Sequence, residues 1–324
     1  MTKATAVAHP MQGLVKYHGL KNWDLRIPYH DSISVNLEAL WTKTTVEFGD
    51  FGGDSIVINK IKRSGRVLDR TLYVINQIRK LAEIDDDVKI VSENSLGFGE
   101  YKGLGFSSSA GAALAAASFK AARLDKKYGW DLRMISRIAR RLAGSACRSV
   151  TGEYSRWYAG TSDKTSYAEK IATAKDLDMA IVVVPLSDEV STETAHKDVE
   201  SSAFFDARLK SAKRRVEQMQ KAILAGDFEK VGELSEMDSL ELHSVTMTGE
   251  NKLILFRSES IMVIREVMKM REDGIPVYFS MQTGPSVFLD TLSEEADEVK
   301  QRIKRLGLKT VVSRIGKEAR TIGN

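Results

Sequence analysis

The stretch Gly103-Leu104-Gly105-Phe106-Ser107-Ser108-Ser109-Ala110-Gly111-Ala112-Ala113 opens an alanine-rich run that continues to Ala122. Alanine is the strongest helix former, while glycine and serine favour the turn and cap that precede a helix. The segment therefore predicts a glycine-rich turn feeding the N-terminus of a buried helix. Such a terminus presents free backbone N–H groups and the positive end of the helix dipole, which suit a phosphate. Three consecutive hydroxyls add further donors. The same pattern also serves a well-capped core helix that binds nothing. No Gly-Lys-Ser/Thr follows at the spacing of a Walker A loop, so that class is excluded.

Working outward, strand and helix signals alternate on both sides of this turn. Ser32–Leu37 alternates strictly, and Thr44–Phe48, Ser55–Ile58 and Val88–Val91 read as further strands. Apolar positions from Val67 to Leu81 form a helical stripe. A helix is expected over Leu132–Ala143, followed by a hydroxyl-rich turn, Gly144–Gly152. Met179–Pro185 reads as a central apolar strand. Beyond it come amphipathic helices over Ala203–Ala225, Glu229–Leu242 and Ser258–Arg271, then the strand Pro276–Met281 with Ser286–Leu289 as its continuation. Glu294–Leu306 reads as a charged surface helix, followed by the strand Thr310–Ser313. The class is α+β, in two domains, residues 1–186 and 187–324.

Composition narrows the function. The 324 residues carry a net charge of +4, spread along the chain rather than blocked, so a small anionic ligand is expected and no nucleic-acid partner. The single Cys147 rules out a disulfide framework and a cysteine-rich zinc site. The five histidines show no metal-ligand spacing, and no metal is expected. No apolar run approaches a membrane span and no secretory h-region opens the chain. A soluble cytoplasmic protein is the expectation.

Five stretches in register resemble the mevalonate-pathway decarboxylases of the galactokinase, homoserine kinase, mevalonate kinase and phosphomevalonate kinase (GHMP) superfamily. Val15-Lys16-Tyr17-His18-Gly19, with Ile27-Pro28 and Ser32–Val35 after it, is similar to the family's Lys-Tyr-Trp-Gly-Lys start and Ser-X-Ser-X strand. Gly105–Ala112 resembles its phosphate turn, and Gly144–Ser149 its Gly-Ser-Ala-Cys-Arg-Ser segment residue for residue. Asp227-Phe228, Met237-Asp238-Ser239 and Leu242-His243 resemble a helical signature, and Thr283-Gly284-Pro285 its Ala-Gly-Pro turn. The resemblance implies a GHMP-kinase-like two-domain fold, with a ribosomal protein S5-like N-terminal half, a ferredoxin-like C-terminal half and a cleft between them. It also implies a homodimer.

By this resemblance Lys16, Arg148 and Ser108 are the catalytic candidates. Tyr17, Gly105, Ser107, Ser109, Ser145, Ser149 and Gln282 are candidates for substrate binding, and Ser191 and Thr192 for the distal phosphate. His196 and Lys197 are expected on a surface loop, His243 as a satisfied interior histidine, Asp163 as structural and Cys147 as a small buried residue.

Departures from the family pattern bear on the chemistry. ATP-using relatives carry an aspartate before the Ala-Gly-Pro turn and a second lysine after Tyr-Trp-Gly; here these positions are Gln282 and Leu20, with Lys21 adjacent. A carboxamide does not accept a proton at neutral pH and leucine does not stabilise a phosphoryl group in transfer. No acidic residue lies between Tyr278 and Leu289. Met11-Gln12-Gly13 replaces Asn-Ile-Ala, and Glu153 replaces a glycine. The pattern resembles the ATP-independent branch, which acts on mevalonate 3,5-bisphosphate and needs no cofactor. Under the alternatives the chain is an ATP- and Mg2+-dependent phosphomevalonate or diphosphomevalonate decarboxylase, a mevalonate 3-kinase, or an inactive ligand-binding member of the superfamily.

Overall fold

A computed structural model describes residues 2–96, 101–187 and 192–323. The first half contains β1 (Thr2–Ala8), β2 (Met11–Val15), β3 (Leu20–Asn22), β4 (Ile27–Pro28), β5 (Ser32–Asn36), β6 (Thr42–Gly49), β7 (Ser55–Ile58) and β8 (Ile61–Arg63). It continues through α1 (Arg66–Ala82), β9 (Asp87–Asn94), α2 (Phe106–Ala121), α3 (Leu124–Tyr128), α4 (Leu132–Arg140), α5 (Ala146–Thr151), β10 (Tyr154–Tyr158) and β11 (Tyr167–Ala172). The second half contains β12 (Ala180–Val184), α6 (Thr192–Asp198), α7 (Phe205–Leu224), α8 (Phe228–Met247), α9 (Ser258–Glu272), β13 (Val277–Met281) and β14 (Val287–Thr291). It ends with α10 (Ala296–Arg305), β15 (Val311–Ser313) and β16 (Arg320–Thr321).

The strands assemble into three main sheets, ordered β16-β1-β6-β9-β7-β8, β11-β10-β5-β2 and β13-β14-β12-β15. The alanine run makes α2 narrow enough to lie flat on β1 and β6, and it is buried on nearly every side. Ala112, Ala113, Ala116 and Phe119 pack there against Val46, Ile75 and Ile90. A second core joins the halves. Leu14 and Val35 of the β2–β5 sheet meet Ile181, Val183 and Phe288 of the third sheet, with Met219 and Val231 from α7 and α8. The opposite face of the third sheet is covered by α9 and α10 through Val263, Val267, Val299 and Ile303. Residues on and just after β2 thus stand at the junction of both halves.

Several expectations change. Strand β12 precedes the expected division at residue 186, yet it hydrogen-bonds to β14 and β15 of the second-half sheet. Ser286–Leu289 does not continue β13. The chain reverses at Gln282–Pro285 and β14 returns antiparallel, pairing Met281 with Val287 and Tyr278 with Asp290. The expected hydroxyl-rich turn Gly144–Gly152 contains a short helix, α5, because Ala146 through Thr151 are all buried and the element packs on α2 and α4. The serines of the central stretch sit inside the first turn of α2 rather than ahead of it.

Candidate active site

Strand β2 delivers Lys16 into the junction, where it is almost wholly buried (3% exposed). Its backbone N–H donates to Asp238 Oδ2 at 2.8 Å, and its Nζ lies 3.8 Å from the same carboxylate. Asp238, on α8, is also gripped by Arg208 at 2.7 Å and Arg215 at 3.2 Å, both from α7. Burial alone would raise the Asp238 carboxyl, but Arg208, Lys16 and Arg215 outweigh it and hold the group below its ordinary range. Burial acts on Lys16 in the opposite sense and lowers it to about 8 despite the pull of Asp238. Its Nζ has no hydrogen-bond partner, so the ammonium is available to a ligand.

Gln282 stands beside it. A Cβ placed on Gly13 would come within 2.8 Å of Lys16 Cγ and 3.2 Å of Gln282 Oε1, so the two side chains flank the bare glycine. Gln282 Nε2 is buried without a partner. A different carboxylate lies on the next strand. Asp290 accepts from Gln12 Nε2 with both oxygens, each at 2.9 Å. Burial raises Asp290 to about 7, with the Gln12 hydrogen bond opposing. No signal in the sequence singled out this residue, which falls just beyond the turn that should hold the family's aspartate.

Arg148 enters from α5 and is 1% exposed. Its guanidinium carbon sits 5.6 Å from the Tyr17 ring centre and 5.8 Å from that of Trp157. Nε and Nη1 have no partner, which leaves two donors of a planar fork for an anion. Ser149 donates to Ser108 Oγ at 2.9 Å, and Ser108 donates to the Gly105 carbonyl at 2.6 Å, so these two hydroxyls brace the turn. Gly105 has φ +78°, and a Cβ there would lie 2.9 Å from the Met11 carbonyl oxygen. Ser107 is exposed on the first turn of α2 and Ser145 half-buried at the start of α5. Ser109 turns away, sharing a hydrogen bond with Thr42 Oγ1 at 2.7 Å, and so fastens α2 to β6.

On the far side of Tyr17 a second polar group gathers. The Tyr17 ring stacks on His196 with centroids 4.8 Å apart, and His196 Nδ1 accepts from the Gly19 backbone at 3.2 Å. His196 is therefore a buried member of α6, not part of a surface loop, although Lys197 is exposed. Arg70 and Arg26 are tied to the carbonyls of Leu142 and Arg141, and Arg66 pairs with Glu193 at 2.5 Å. Arg26, Arg66 and Glu193 all act electrostatically on Arg70, as does Tyr17. Sequence reading missed Arg26, Arg66 and Arg70 because they sit in no recognisable motif. Ser191 lies outside the described residues, and of Thr192 only the backbone, at the start of α6, is described.

Other expectations resolve on geometry. Cys147 is buried, donates to the Gly144 carbonyl at 3.0 Å and is pushed up to about 12 by burial, which leaves it an inert thiol. Asp163 pairs with Arg137 and Arg140, each at 2.6 Å, as a structural carboxylate would. His243 is not satisfied: neither ring nitrogen makes a well-formed hydrogen bond, and burial, helped by Lys16, lowers it to about 3. Leu20 is buried and the adjacent Lys21 exposed, so Lys21 does not stand in for the missing lysine. Among the described residues no group of three His, Cys, Asp or Glu side chains could hold a metal ion. Among them, too, no helix is long and apolar enough to cross a membrane.

Comparison with known proteins places this arrangement. Residues 8–168 match the diphosphomevalonate decarboxylase-like N-terminal domain, and residues 180–319 the mevalonate 5-diphosphate decarboxylase C-terminal domain. A Haloferax volcanii protein described as phosphomevalonate decarboxylase is 40% identical over 322 residues, 99% of this chain and 98% of that one. The chain belongs to the diphosphomevalonate decarboxylase family. Within that family it is also similar to a Thermoplasma acidophilum mevalonate 3,5-bisphosphate decarboxylase, at 22% identity over 92% of this chain and 73% of that one. The crystal structure of mevalonate diphosphate decarboxylase from Staphylococcus aureus superposes with a TM-score of 0.92 at 30% identity, covering 99% of this chain and 98% of that one. The fold is thus the GHMP-kinase-like two-domain α+β fold, and the protein is a decarboxylase of the mevalonate pathway.

Proposed function

We propose that this enzyme decarboxylates a mevalonate whose C3 oxygen already carries phosphate. The substrate is then mevalonate 3,5-bisphosphate, and the products are isopentenyl phosphate, phosphate and carbon dioxide. The observation that carries this reading is Gln282. It occupies the place of the family's aspartate, and the nearby carboxylates are engaged: Asp238 by Arg208 and Arg215, Asp290 by Gln12. Elimination from a pre-phosphorylated carbon needs no proton removed and no nucleotide or Mg2+. The C3–O pair leaves with phosphate, and the C1–C2 pair becomes the new C2–C3 double bond as carbon dioxide departs.

In this reading Lys16 and Arg148 receive the charge that grows on the leaving phosphate, assisted by the first turn of α2 above Ser108. Their unpaired, buried donors cost little reorganisation at the moment of bond breaking. Tyr17 separates this end from the Arg26, Arg66 and Arg70 group, which supplies positive charge for the distal phosphate. Ser107, Ser145 and Gln282 line the approach, with Ser149 bracing the turn behind Ser108. The enzyme works as a cytoplasmic homodimer, and light scattering in solution should return twice the monomer mass.

A second reading is supported by the 40% identity to the Haloferax protein. In it the enzyme takes the 5-phosphate and requires ATP. One experiment separates them: carbon dioxide release from the 3,5-bisphosphate, the 5-phosphate and the 5-diphosphate, each with and without ATP and magnesium. Release from the bisphosphate without nucleotide is expected. Release only from a 5-phosphate or 5-diphosphate with ATP would sink the nucleotide-independent mechanism, and no release from any would leave a ligand-binding protein.

A further inference from the structure

Beside Tyr17, Arg70 donates to the Leu142 carbonyl at 2.7 Å and Arg26 to that of Arg141 at 3.1 Å. The Tyr17 hydroxyl reaches the same segment, since a Cβ placed on Gly144 would come within 2.8 Å of it. Arg70 Nε is buried without a partner, which leaves a donor for a ligand. Arg66 stands one helical turn before Arg70 on α1, so the two share a face. There it meets Glu193 of α6, whose carboxylate lies 2.5 Å from Arg66 and 3.8 Å from Lys197. The same three side chains, with Asp198 and Glu250, line a cavity of about 460 Å³. Among the described residues its charged lining is three carboxylates against two cations. Arg66 therefore belongs both to the arginine group and to the cavity.

A phosphate ester carries about two negative charges at neutral pH, which Arg26 and Arg70 match. A second phosphate on the same chain would enter at Arg66, whose charge Glu193 already takes up. Space does not exclude it, because the cavity is within the roughly 300–1,000 Å³ of ordinary small-molecule sites. Charge does. We propose that Glu193 restricts this enzyme to a distal monophosphate, by holding a carboxylate where the second phosphate of a diphosphate would bind. This rests on the placement of the distal phosphate beside Arg26 and Arg70, and not on whether nucleotide is used. Burial alone would raise the Glu193 carboxyl, but Arg66, Arg70, Lys197 and Arg26 outweigh it and hold it below its ordinary range. His196, one turn further along α6, is lowered to about 4 by burial and Arg26, so it is neutral and does not offset the carboxylate. A like charge set against the wrong ligand separates two ligands that share every other contact.

The test is the affinity of mevalonate 5-phosphate and of mevalonate 5-diphosphate, by calorimetry at low ionic strength without nucleotide, so that neither turns over. The parent should prefer the monophosphate, and the preference should narrow as salt screens these partly exposed charges. Glu193→Gln removes the charge and keeps the shape, so it should tighten the diphosphate roughly tenfold relative to the monophosphate. Glu193→Asp keeps the carboxylate and should keep the preference, and Arg70→Gln should weaken both ligands. A parent that binds the two equally overturns the inference, whether or not the variants fold. So does an unchanged ratio in a Glu193→Gln protein that melts like the parent. Equal weakening of both ligands in that variant overturns it too, as a pair that only fastens α6 to α1 would behave. If Arg70→Gln leaves both affinities unchanged, the distal phosphate binds elsewhere, and its placement falls together with the inference. Discrimination as described, with no carbon dioxide from the bisphosphate, would defeat the proposed reaction alone.

Discussion

Arg148 gains its character from what surrounds it rather than from what it touches. The rings of Tyr17 and Trp157 shelter the guanidinium, and neither neutralises it. Burial makes an unpaired charge costly, so the site holds free energy that an arriving anion releases. Replacing Arg148 by alanine should lower kcat/KM by about 10²- to 10³-fold, the usual loss for a donor aimed at developing negative charge. Lysine should restore only part of it, because one ammonium cannot reproduce the fork held between two rings. Steady-state kinetics on both variants, with circular dichroism to confirm folding, check this; equal rates in all three proteins would remove Arg148 from the site.

At the scale of elements, the turn into α2 is the part that tolerates least. Gly105 combines a left-handed backbone with a carbonyl close to where a side chain would begin. Gly105→Ala should cost about 1–3 kcal/mol in stability and weaken phosphate binding together. Denaturant melts and calorimetry read the two effects, and a variant as stable as the parent would show that the turn has room to relax. This element was the most legible in the sequence, because alanine, serine and glycine signal helix, cap and turn by strong local preference. The strands Ser55–Ile58 and Ser32–Leu37 were legible by another signal, β-branched and alternating apolar residues. The short helix α5 was not, since six residues rich in hydroxyls form a helix only through packing on α2 and α4. Nor was the strand β14, because a reversal at Gly284-Pro285 and a direct continuation leave the same apolar letters behind. Asp290 was invisible for that reason: its place beside Gln12 depends on the antiparallel return of β14, which brings together residues 278 positions apart. Lys16, Arg148 and Ser108 were reachable from motif resemblance, whereas the arginines around His196 needed three dimensions.

For the molecule as a whole, acid is the weak side. All five histidines are held below their ordinary range with burial as the leading cause, His30 and His196 to about 4 and His243 to about 3. The unfolded chain takes up these protons near pH 6.5 while the folded one refuses them until lower pH, so stability falls as pH drops through that window. Each histidine contributes up to roughly 1.4 kcal/mol per pH unit there. Asp290 works the other way, binding its proton in the folded state from about pH 7 downward, and offsets part of the loss. The melting temperature should therefore decline steadily from pH 7 to pH 4.5, and a flat profile over that range would contradict the burial of the histidines. The last strand has a consequence of a different kind. Strand β16 pairs with β1, joining Ala6 to Thr321 and Val7 to Arg320, so the end of the β1 edge is covered by residues that leave the ribosome long after β1 has emerged. Throughout synthesis that part of β1 stands uncovered, a raw edge open to another nascent chain. Folding of the first half during translation lacks this last pairing until the end of the second half arrives to supply it.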